Sequence, residues 1–174
     1  KRQVEQNEEK TSAFNHFIKP EPGDLLRVSI MVAFKRARMQ EMYSILRGKD
    51  FGTDQFDPSQ QESQFETLKK GQKTALDLTF WHDFMKCLQQ AGYRTEAMVT
   101  SNFNLICCYA LYLIGRTECG ISEDTLRPVI SKYFFMCCLT GRYTGSAEGQ
   151  IVRDLIILGD ATKEGDATKA VSYT

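Results

Sequence analysis

Apolar and polar positions alternate with a helical period along the chain. Leu25, Val28, Val32, Met39, Met42 and Leu46 recur at helical steps and predict one long amphipathic helix over 25–47, with Asp24 as N-cap and Gly48 as stop. Asp57-Pro58-Ser59-Gln60 opens a second helix with a cap, a proline at the first helical position and a glutamine three residues after the cap. Phe65, Leu68, Ala75 and Leu76 continue it, and Gly71 is its weak point. Thr79 marks a candidate restart through Trp81, Phe84, Met85 and Leu88 to Gly92, so this region reads as two helices or one bent one. Ser101 is the expected cap of a run over 102–116 that is apolar nearly all round, the pattern of a central, fully covered helix. Glu123 and Asp124 favour a start after Ser122, but Pro128 removes a backbone donor, so the spacing predicts a start near Leu126 or a kink there. An apolar run from Tyr133 to Leu139 then enters Thr140-Gly141-Arg142-Tyr143-Thr144-Gly145-Ser146, and Ile151, Val152 and Leu155 resume the rhythm in a helix over 147–158 capped by Ser146.

Strand-like period-two alternation is absent, so the expected fold is all-α, a single domain of about six helices around the apolar helix 102–116. The helical domain is expected over 25–158. Residues 1–24 read as a connector or docking segment, with Phe14, Phe17 and Ile18 at helical spacing and a stop at Pro20 to Asp24. Residues 159–174, in which Gly-Asp-Ala-Thr-Lys occurs twice, read as a mobile polar tail.

Composition narrows the class of function. The 174 residues suit one domain, and 42% hydrophobic with 11% aromatic residues suffice for a core. The 22 basic and 22 acidic residues cancel, so any nucleic-acid contact must be local. The longest apolar run, 105–114, falls short of the ~18 residues that span a bilayer, and no membrane partner is expected. The 6 cysteines, at 87, 107, 108, 119, 137 and 138, form no C-x-x-C pair and sit in apolar runs, which fits small core residues in a reducing cytoplasm. Neither His16 nor His82 belongs to an H-E-x-x-H or H-N-H arrangement, and no glycine-rich loop precedes Lys-Ser or Lys-Thr. No metal, no cofactor and no catalytic residue is therefore expected in these residues.

Two features remain as candidate phosphate or nucleic-acid sites. Lys35, Arg36 and Arg38 lie on the predicted first helix, where Arg27, Lys35 and Arg38 would share an arc of roughly 80° and could line a phosphate backbone. The turn at 141–146 combines two glycines, the hydroxyls of Thr144 and Ser146, Arg142 for bidentate contact, Tyr143 for stacking and a helix N-terminus. The competing reading is a structural joint: Gly141 and Gly145 shape the turn, Glu148 already complements the helix dipole, and Arg142 pairs internally with Asp154 or Glu148.

The segments Leu25-Leu26-Arg27-Val28-Ser29-Ile30, Ala33-Phe34-Lys35-Arg36, Ile45-Leu46-Arg47-Gly48-Lys49-Asp50-Phe51 and above all Leu139-Thr140-Gly141-Arg142-Tyr143-Thr144-Gly145-Ser146-Ala147-Glu148 with Asp154-Leu155 resemble the helical region of GmrS-type proteins, from the GmrSD group of modification-dependent restriction systems. The likeness runs from about Leu25 to Leu158, with 139–148 its most specific part. In that family a ParB-like N-terminal domain carries a D-G-Q-Q-R-type motif tied to nucleotide hydrolysis, and an H-N-H type nuclease lies in a C-terminal or partner domain. Neither motif occurs here. The resemblance implies a non-catalytic helical module, a fragment downstream of the ParB-like domain in a DNA-targeting defence protein. Its role would be to position DNA or to couple that domain to the nuclease. The alternative is a purely structural or protein-interaction domain without nucleic-acid contact.

Overall fold

The computed structural model describes residues 18–49, 55–99 and 101–163, with 159–163 as backbone. Among the described residues, seven α-helices build a single all-α domain: α1 (Pro22–Phe34), α2 (Met39–Leu46), α3 (Gln60–Ala75), α4 (Leu78–Gln90), α5 (Asn102–Thr117), α6 (Glu123–Thr140) and α7 (Ala147–Lys163). A short 3-10 turn, Glu96–Met98, leads into α5. The described residues contain no strand, only an isolated antiparallel bridge between Lys49 and Phe56.

The central helix is α5. Leu105 to Ala110 and Tyr112 to Gly115 are all buried on it, because α1 and α6 cover it along much of its length and α3, α4 and α7 close the remaining sides. Aromatic rings fill the space between α4 and α5: Trp81 and Phe84 both pack on Tyr109, at 5.1 and 5.0 Å between ring centres.

The predicted helix over 25–47 is two helices. It begins earlier, at Pro22, where Glu21 and Asp24 form a capping box. It ends at Phe34, because Lys35 turns left-handed (φ 57°) and its N–H closes on the Met31 carbonyl. The Lys35 ammonium reinforces the stop by donating to the Val32 carbonyl at 2.6 Å. The turn buries Ala37 and lets α2 fold back onto α3. Periodicity could not see this break, since each half keeps its own buried face.

Other differences are local. Helix α3 runs unbroken through Gly71 and starts at Gln60, with Asp57 accepting from the Ser59 N–H at 2.9 Å and from its hydroxyl at 2.6 Å. Asp77, accepting from the Thr79 N–H, caps a separate α4. Helix α6 starts at Glu123 under a Ser122 cap and continues past Pro128. The carbonyl that Pro128 leaves without a donor belongs to Asp124, in the exposed first turn, where water can serve it. Helix α7 extends to Lys163, so 159–163 is helix and not tail. Ile18 and Pro20 are buried at the start of the described chain. The docking residues Phe14 and Phe17, His16, and the tail over 164–174 lie outside the described residues.

Candidate functional site

The joint between α6 and α7 is closed by backbone bonds. Gly141 takes the left-handed conformation (φ 64°) that ends α6, and the N–H groups of Gly141 and Arg142 both reach the Cys137 carbonyl. The Thr144 N–H and hydroxyl both donate to the Gly141 carbonyl, at 3.1 and 2.7 Å. Ser101 at the start of α5 donates to the Tyr143 carbonyl at 3.2 Å and ties the turn to the central helix. Gly145 does not adopt a positive φ, so only the first of the two glycines is required by backbone shape.

Asp154 on α7 lies under this turn, 2% exposed. Arg142 grips it as a fork, Nη2 to Oδ1 at 2.7 Å and Nε to Oδ2 at 3.1 Å. The Tyr143 hydroxyl donates to Oδ2 at 2.5 Å, and Gln150 Nε2 donates to Oδ1 at 3.2 Å. Tyr133 stands 2.6 Å from the Tyr143 oxygen and 3.3 Å from Oδ2. Because the Tyr143 proton is committed to Asp154, the single Tyr133 proton goes to the nearer partner, the Tyr143 oxygen. The carboxylate is thus surrounded by donors on both oxygens. The hydrogen bonds to Asp154 strengthen the hold of Arg142 on its proton, and burial raises the Tyr143 and Tyr133 hydroxyls above the usual phenol range. The result is a fixed ion pair without a spare base or nucleophile.

The predicted site residues therefore do not come together in one cluster. Arg142 points inward and chooses Asp154 over Glu148; Tyr143 is 1% exposed and unavailable for base stacking. Glu148 instead accepts from Arg27 at 2.8 Å, whose guanidinium also lies over the Phe103 ring. The Thr144 hydroxyl is spent on the turn, and Ser146 is exposed. The basic stripe over 27–38 does not form, because the helix ends at Phe34: Lys35 pairs with Glu118 at 2.5 Å, Arg36 approaches Glu41 at 4.0 Å, and Arg38 is exposed at the start of α2.

Sequence reasoning missed Tyr133 and Gln150 as members of the Asp154 cluster. Tyr133 was hidden in an apolar run. Gln150 precedes Asp154 by one helical turn, and that spacing was the available signal.

The cysteines among the described residues are free thiols, and no group of three or more metal-ligating side chains is assembled there. Burial pushes the Cys87 thiol up to about 12, and burial also raises Cys107 and Cys108. A hydrogen bond from Cys108 lowers Cys137, which marks contact between α5 and α6. An open groove of about 390 Å³ lies between the chain at 19–22, α1 and α3; Pro20, Pro22, Leu25, Leu26 and Leu76 supply most of its wall. Its polar lining is Lys19, Gln72 and Ser29, whose hydroxyl is donated to the Leu25 carbonyl.

Other exposed apolar side chains lie on α6 and α7. Phe135, Met136 and Leu139 on α6 are 46%, 43% and 68% exposed, and Ile156 and Ile157 on α7 are each 49% exposed. No helix of the described residues is long and apolar enough to cross a membrane. No protein family, no curated protein and no solved structure matches the chain.

Proposed function

We propose that this domain is a rigid protein-contact module in which the Gly141–Ser146 joint braces α6 against α7 and the exposed apolar strip of α6 meets a partner. One observation carries this reading: Arg142 and Tyr143 are turned inward onto Asp154, while Phe135, Met136 and Leu139, on the helix leading into the same turn, stay in water. Apolar side chains grouped on one helix face in this way are a common mark of a protein-binding surface. Pairing of Arg27, Lys35 and Arg142 with acidic side chains speaks against a nucleic-acid surface, since each phosphate contact would first have to break an ion pair. In the GmrSD-like setting that 139–148 resembles, the partner would be an upstream ParB-like domain or a nuclease domain or subunit.

The test pairs a duplex DNA titration with analysis of the full-length protein's native complex. Under this proposal Leu139→Asp releases the partner without lowering the melting temperature, and duplex binding at about 0.1 M salt is weak and indifferent to Arg38→Ala. Tight, salt-dependent duplex binding that a Lys35/Arg38 double alanine variant abolishes with its fold intact would overturn the proposal in favour of a DNA-positioning module.

A further inference from the structure

The partner's chemistry follows from charges set among the apolar groups. At about 100° per residue, Lys132, Phe135, Met136 and Leu139 fall within an arc of about 100° on α6, with the Lys132 stem between Phe135 and Met136. Helix α7 repeats the pattern, with Arg153 between Ile156 and Ile157 over a similar arc. All seven side chains are exposed. Lys132 and Arg153 have no ion-pair partner among the described residues, unlike Arg27, Lys35 and Arg142. No acidic residue occurs from Lys132 to Thr140, and the one acid from Gln150 to Leu158 is Asp154, buried and fully engaged. Each strip therefore offers apolar surface together with an unanswered positive charge.

We infer that the α6 strip docks an acidic amphipathic helix, whose apolar stripe covers Phe135, Met136 and Leu139 and whose flanking carboxylate meets Lys132. The inference rests on the protein-contact reading and names the partner's chemistry. A neutral apolar partner would leave Lys132 desolvated at the rim, and a basic one would repel it; a carboxylate at that height removes both costs. The fixed Arg142–Asp154 pair holds the C-terminal end of α6, so the strip is presented in one orientation.

Two labelled peptides test this, sharing one leucine spacing at helical intervals but flanked by glutamate in one and lysine in the other. Each is titrated by anisotropy into the whole chain. The glutamate peptide should bind about tenfold more tightly at about 0.1 M salt, with the preference shrinking as salt rises. Lys132→Glu should invert the preference, and Leu139→Asp should abolish binding of both, with melting temperatures within about 2 °C of the parent because both positions are exposed. Equal binding of the two peptides, still lost in Leu139→Asp, would overturn the acidic partner and leave the contact module standing. Binding of neither peptide would also overturn the inference, with the native complex then deciding the broader reading. Two further results would overturn it: displacement of the glutamate peptide by phosphatidylserine vesicles, or a concentration-dependent dimer that Leu139→Asp dissolves, which would make the occupant a second copy.

Discussion

Asp154 sits almost without solvent on a helix whose neighbouring core positions, Ile151 and Leu155, are fully buried. Taking a carboxylate out of water costs several kcal/mol, and here the cost is offset by one guanidinium fork, a tyrosine hydroxyl and a glutamine amide. Removing the guanidinium leaves the buried charge with neutral donors only. Arg142→Ala should therefore lower unfolding free energy by about 2–4 kcal/mol, more than a surface ion pair could contribute. Asp154→Asn in the Arg142→Ala background should recover part of that loss, because the uncompensated charge goes while the amide still bonds to its neighbours. Urea unfolding of the four variants in this cycle gives the coupling directly; additive losses would mean that Arg142 and Asp154 do not act as a pair. At this scale the sequence held both partners in view and left the choice between Asp154 and Glu148 open. That choice depends on Arg27, distant in the chain, reaching Glu148 first, and no local pattern encodes it.

Helix boundaries obeyed local chemistry where caps were decisive and tertiary packing where they were not. The stop at Gly141 and the all-round apolar α5 were legible because each is a local preference, whereas Pro128 outweighed the start signal after Ser122 in the sequence and did not in the fold. The break at Lys35 was not, since a left-handed non-glycine residue carries no sequence mark and is held by the distant Glu118 and the burial of Ala37. Gly71 shows the same limit from the other side. As a sequence feature it weakens α3, yet in the fold it is where α3 touches α1: a Cβ there would stand 2.6 Å from the Ser29 carbonyl oxygen and 2.9 Å from the Ala33 Cβ. Alanine would gain about 1 kcal/mol of helix propensity, but the overlap is with backbone and cannot be relieved by a rotamer change. The overlap should win, so Gly71→Ala is expected to destabilise by about 1–3 kcal/mol. Gly149→Ala in α7, with open space around its Cβ position, should be neutral or stabilising by up to about 1 kcal/mol. Denaturant midpoints of the two variants check this contrast, and stabilisation by Gly71→Ala would mean that the α1–α3 approach is looser than described.

Across the described residues, the core holds several thiols and phenols that must stay protonated to stay buried. Burial raises the Cys87 thiol from 9.0 to about 12 and also lifts Cys107, Cys108, Tyr109, Tyr112, Tyr133 and Tyr143 above their ordinary ranges. For each, the unfolded chain releases its proton at lower pH than the folded one. Between the two values the folded state therefore binds more protons, and stability falls as pH rises. The stabilising contribution is complete below about pH 9 for Cys87 and is lost progressively toward about 12, at up to about 1.4 kcal/mol per pH unit for that group alone. The domain should consequently lose stability steeply from pH 9 to 11. Cys87→Ala separates packing from titration: the lost sulfur lowers stability by a pH-independent amount, whereas the slope above pH 9 should become shallower by about one group's worth. Urea unfolding at pH 8, 9, 10 and 11 reads both quantities, and parallel curves for parent and variant would show that the Cys87 thiol does not titrate on unfolding.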